Sequence, residues 1–153
     1  MLPSWCKTEL MRKFYLSFLI LAFTVAAPAQ DADNSSHPID TDLAECKKEA
    51  GKHSAEKHIQ CEYTARIAWE KEIDKYYGLL MGAVKPDAKK LLKTAQKNWI
   101  AYRDEEMAFA GSLYKNMESK AWLVIHAARL TTLMRTRALE LQEYYEMATF
   151  DPD

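Results

Sequence analysis

The chain has 153 residues, with 21 Lys and Arg against 22 Asp and Glu, a formal net charge of −1. That balance excludes the basic surplus of a nucleic-acid-binding protein, and the length suits one globular domain. Only four glycines and five prolines occur in a chain rich in Ala, Leu, Met, Lys and Glu, a composition that favours helices.

The N-terminus reads as a signal peptide over residues 1–29. Met11-Arg12-Lys13 is a positive n-region, Phe14 to Ala26 is an apolar run, and Ala27-Pro28-Ala29 offers small residues for cleavage after Ala29. Residues 1–10 read as an upstream extension of a leader that Met11 alone would start. The apolar run falls short of the ~20 residues of a spanning helix, and no basic cluster follows to stop transfer. No Cys follows the apolar run, so lipid modification is not supported. Cleavage would leave 18 bases against 21 acids, a mild −3 that is compatible with meeting a cationic protein. It would also remove Cys6 and leave a pair, Cys46 and Cys61. In an oxidising compartment such a pair is expected as a disulfide.

Residues 30–40, containing the polar stretch Asp31 to Pro38, are expected to form a disordered lead-in. A first helix is expected from Thr41 to Ala50, with Gly51 at its C-cap. A second follows Ser54, a suitable N-cap, and runs to about Val84. Tyr63, Ile67, Ile73, Tyr77, Leu80 and Val84 mark its buried face, while Trp69 and Tyr76 lie off that line and suggest a second covered face. Pro86 opens the third helix, where Leu92, Ala95, Trp99, Tyr102, Phe109 and Leu113 form one stripe. The pattern loosens over 114–119. The fourth helix spans Lys120 to Met147, with Leu123, Ala127, Leu130, Met134, Leu141 and Tyr144 on its stripe and Arg137 as a polar interruption; 148–153 is a tail. The fold class is therefore all-α: an antiparallel bundle of three long helices plus a short N-terminal helix, clipped by one disulfide, with the domain over 41–147. A turn at 51–54 would bring Cys46 and Cys61 together, and closing that loop contributes about 3 kcal/mol.

The residues carry no catalytic constellation. CxxC, CxxCH, HExxH and a glycine-rich phosphate loop are all absent from the sequence. His53 and His58 are five apart and fall on different sides of a helix, so both read as solvated. His126 reads as a hydrogen-bonding residue at the core edge, and Met81, Met107, Met117 and Met134 read as core filling. The pairs Glu105–Glu106 and Glu70–Glu72 read as a solvated helix face. No enzyme, metal or cofactor is expected. One segment is denser. Trp99, Tyr102 and Arg103 stand at i, i+3 and i+4, a unit that packs and pairs as a bundle anchor or, in the sharper reading, serves as a binding hot spot.

Ala95-Gln-Lys-Asn-Trp-Ile-Ala-Tyr-Arg-Asp104 also carries a resemblance. Together with Cys46, Ser54-Ala55-Glu56 and Cys61, the Asp74 to Leu80 stretch and Arg135 to Leu141, it is similar to the small exported domains named after the lysozyme inhibitor LprI, over roughly residues 43–145. The most specific element is the pattern of Gln96, Trp99, Tyr102, Arg103 and Asp104. The resemblance implies a helical, disulfide-supported, periplasmic or secreted domain. It also implies a second disulfide that this chain lacks, with Met107 at one position and His126 or Ala127 at the other. The expected function is a lysozyme-inhibitor-like binding domain that blocks a cationic glycan hydrolase sterically and electrostatically. The rivals are a cell-envelope accessory interaction protein and, third, a carrier of a small ligand or metal in the bundle interior.

Overall fold

The structure, a computed structural model, describes residues 36–52, 54–115, 117 and 119–151. The signal-peptide reading and residues 30–35 lie outside the described residues, as does His53. Helix α1 spans Pro38–Ala50, α2 Ala55–Ala83, α3 Pro86–Lys115 and α4 Lys120–Thr149.

Capping chemistry sets these limits. His37 accepts the Ile39 N–H on its Nδ1 at 3.3 Å, and Pro38 occupies a first-turn position where a missing N–H costs nothing. The helix therefore starts inside the stretch expected as lead-in, three residues before Thr41. It ends at Gly51, whose φ of 68° suits a residue without Cβ. Ser54 accepts from the Lys57 N–H at 3.4 Å to open α2, and Ser119 accepts from Ala121 at 3.3 Å to open α4. At the far end α4 runs to Thr149 rather than Met147.

Long-range partners give the directions. Glu56 pairs with Lys120, the Glu62 carbonyl accepts from Thr131 at 3.0 Å, and Tyr76 lies 6.2 Å from Tyr145, so α2 and α4 run the same way. Glu106 with Arg129 and Gln96 with Arg137 show α3 running antiparallel to α4. The bundle is thus up-down-up, and its tightest pairing joins α2 to α4.

The core follows from that pairing. Trp69, Ile73 and Leu80 of α2 interlock with Met134, Ala138 and Leu141 of α4; α3 contributes only Leu92, Trp99 and Met107 at the edge. Trp69, off the expected stripe, is wholly buried. The second covered face has a cause in α1, which lies against Trp69 through His37, ring centroids 4.4 Å apart. Helix α1 buries no residue fully. It is held by the Cys46–Cys61 disulfide, Cα atoms 5.8 Å apart, and by Arg135, whose Nε reaches both Asp40 oxygens at 2.9 and 2.8 Å.

The α3 stripe differs from expectation. Ala95, Tyr102, Phe109 and Leu113 are exposed, and the face turned inward runs through Leu92, Gln96, Trp99, Arg103 and Ala110. That line keeps the 3–4 spacing of a helix face but carries two polar residues, one of which, Gln96, bonds to Arg137. A purely hydrophobic count therefore places the buried edge too far round the helix. Tyr63, Leu123 and Tyr144, expected on buried stripes, are also exposed.

Candidate functional site

Arg137 organises the site. The residue read as an interruption of the α4 stripe is 8% exposed, and its Nε and Nη2 donate to Gln96 Oε1 at 3.1 and 2.9 Å. Its Nη1 donates to Glu140 at 3.2 Å. A buried guanidinium needs such acceptors, because unpaired it would bear the cost of desolvation. The Gln96–Arg137 bond is thereby a buried polar tie between α3 and α4, beside the more exposed Glu106–Arg129 pair. Trp99 lies between two cations, with Arg103 5.5 Å and Arg137 5.8 Å from its ring centroid. Each contact of this kind is worth about 0.5–1 kcal/mol at a partly exposed site. Arg103 in turn donates to Asp104 Oδ1 at 2.8 Å. Together Gln96, Trp99 and Arg103 form one wall of a polar groove of about 210 Å³, with Glu70, Ile73 and Asp74 of α2 opposite.

Tyr102 does not join them. It is 54% exposed and faces a second groove of about 370 Å³ between α3 and α4, lined also by Glu106, Arg129, Thr132, Leu133 and Thr136. Arg129 at its rim is neutralised by Glu106. The Gln-Trp-Tyr-Arg-Asp motif therefore divides: Gln96 bonds across to α4 and Trp99 packs at the core edge, Arg103 stays with Asp104 and Trp99 on its own helix, and Tyr102 is left outward.

At the opposite end of α2, Glu62 is 1% exposed. Lys47 of α1 pairs with it, Nζ 2.5 Å from Oε1, so the buried carboxylate is answered by a cation. His126 is half-buried against Tyr114, ring centroids 5.1 Å apart. Its Nδ1 finds no hydrogen-bond partner among the described residues. Burial holds its pKa below the usual 6.5, helped by the charges of Arg66 and Arg129. His58 Nε2 bonds the Gly51 carbonyl at 2.8 Å and closes the α1–α2 turn. Glu72 pairs with Lys75 at 2.8 Å. Among the described residues no three His, Cys, Asp or Glu side chains gather as metal ligands, and no helix is long and apolar enough to cross a membrane.

Residues 46–141 match the family described as Lysozyme inhibitor LprI. The chain belongs to this family. The match opens on Cys46, one half of the disulfide, and closes on Leu141, a fully buried core residue. A crystal structure of an uncharacterized protein from Burkholderia thailandensis is similar at a TM-score of 0.68 and 25% identity, covering 74% of this chain. The chain spans 56% of that protein's length. No curated protein matches the chain. In this LprI-family domain the expected second crosslink positions hold Met107, packed at the core edge, and the half-buried His126 and Ala127.

Signals for the missed residues existed. A lone Arg within an apolar 3–4 stripe marks a buried cation, and a Gln at helical spacing from Leu92 and Trp99 marks its acceptor. His37 before Pro38 was a cap signal of the same kind.

Proposed function

We propose that this domain is an exported lysozyme-inhibitor-like binding protein that blocks a cationic glycan hydrolase sterically and electrostatically, with no chemistry of its own. The observation that carries the reading is the family match over 46–141, which spans the disulfide, the motif and the core. Three features agree with it. The Cys46–Cys61 bond suits an oxidising compartment. The mature charge of about −3 favours encounter with a basic partner. Tyr102 stands exposed, as a residue of an interface would.

The test is a lysis assay. Mature protein added to a bacterial suspension should slow clearing by a c-type lysozyme, and the effect should weaken with salt because exposed charges are screened. Absence of inhibition at large molar excess refutes the reading. It would favour a cell-envelope accessory protein, an alternative that the missing second crosslink supports.

A further inference from the structure

We infer that the outward face of α3, with Tyr102, Glu105 and Phe109 at its centre, is the docking surface for a basic protein partner. This deepens the proposed function and rests on it. Along α3 the exposed side chains Leu91, Tyr102, Phe109 and Leu113 fall on one line, 72%, 54%, 58% and 48% exposed. These are large apolar groups on a helix whose inward face has been taken by Gln96, Trp99 and Ala110. A helix that turns its apolar stripe to water while burying a Gln is built around something that covers the stripe. The groove beside it, lined in part by Leu133 and Thr136, offers about 370 Å³ for a protruding side chain.

Charge selects the occupant. Glu105 is exposed and makes no ion pair among the described residues, while the only cation at the groove rim, Arg129, is already neutralised by Glu106. The lysines of α3, Lys89, Lys90, Lys93 and Lys97, follow a different face by their spacing. A second copy of the chain packed α3 to α3 would therefore bring no cation to Glu105. An aromatic surface with one free carboxylate, Glu105, and its own cation cancelled fits the basic surface of another protein, with Tyr102 and Phe109 as the apolar anchors.

The experiment compares wild-type mature protein with Tyr102→Ala, Phe109→Ser and Glu105→Lys, and with Tyr63→Ala as an exposed aromatic control on α2. Binding is measured by calorimetry to a c-type lysozyme and, separately, to cytochrome c as a second basic protein; thermal melts verify folding. Tenfold or greater weakening by each α3 variant, with Tyr63→Ala unchanged, is the expected result. Wild-type inhibition of lysozyme that survives all three α3 changes overturns this surface and leaves the proposed function standing. Wild-type failure on lysozyme with α3-dependent binding to cytochrome c refutes the proposed function and upholds the surface. Failure to bind either protein overturns both. Dimerisation abolished by the same α3 changes would assign the face to a second copy and also overturn the inference.

Discussion

Replacing Gln96 by leucine would strand a buried cation. In the native protein Gln96 Oε1 accepts from two nitrogens of Arg137, a residue 8% exposed, and the remaining tie is to Glu140 at 3.2 Å. A hydrogen bond to a charged group contributes about 1.5–3 kcal/mol, and leaving a charged donor unmet costs at the upper end of that range. Gln96→Leu is therefore expected to destabilise by about 2–3 kcal/mol. At a urea slope of about 1.5 kcal/mol/M the midpoint would fall by about 1–2 M. Adding Arg137→Met removes the stranded charge and keeps an unbranched apolar stem against Trp99. The double variant should then recover to within about 1 kcal/mol of wild type, because replacing both partners of a buried polar pair by apolar groups is close to neutral. Urea melts followed by circular dichroism measure all four corners of the cycle. If Gln96→Leu and the double variant lose the same stability, the guanidinium is not stranded and the clamp has been misread.

Three further outcomes follow from the geometry. Cys46→Ser with Cys61→Ser should cost about 3 kcal/mol for a loop of 15 residues' separation. Protease cleavage should then concentrate in α1, which buries nothing fully; an unchanged melt would refute the clip's role. Trp69→Ala, at the only fully buried aromatic position described, should cost about 3–5 kcal/mol by cavity formation, and a loss below about 1 kcal/mol would place the core elsewhere. His126 should titrate in NMR below its unfolded value of 6.5. Its neutral form is favoured in the fold, so the unfolded chain binds more protons below that pH. Stability is kept above pH 6.5 and declines as pH falls toward the depressed folded pKa. His126→Gln should flatten that part of the decline, and an identical pH profile in the variant would show that His126 is not its source.

The helices and the disulfide were legible because caps, breakers and cysteine spacing are local. Ser54, Pro86 and Gly51 act through their own backbone, and no tertiary partner is needed to read them. The interior was less legible, since which face is buried depends on the neighbour. Trp69 sits off the α2 stripe and becomes the centre of the core because α1 returns across it. Tyr102 shares a helix turn with Trp99 yet faces water, because α3 rotates to hand Gln96 to Arg137. Counting hydrophobic residues hides a buried polar pair by construction: each partner looks like a fault in its own stripe. Only the two faults considered together identify the contact.

The parallel run of α2 and α4 also governs the order in which the molecule can assemble. Their cross-links join residues 64 and 69 apart, and α1 is tied to α4 across 95. Contacts so distant along the chain form only after long loops close, which slows folding relative to a bundle whose neighbours are adjacent in sequence. The segment through α3 alone lacks half of the central cluster, because Trp69, Ile73 and Leu80 find their fully buried partners only on α4. The polypeptide should stay open until Met134 to Leu141 arrive and then collapse in a single cooperative step.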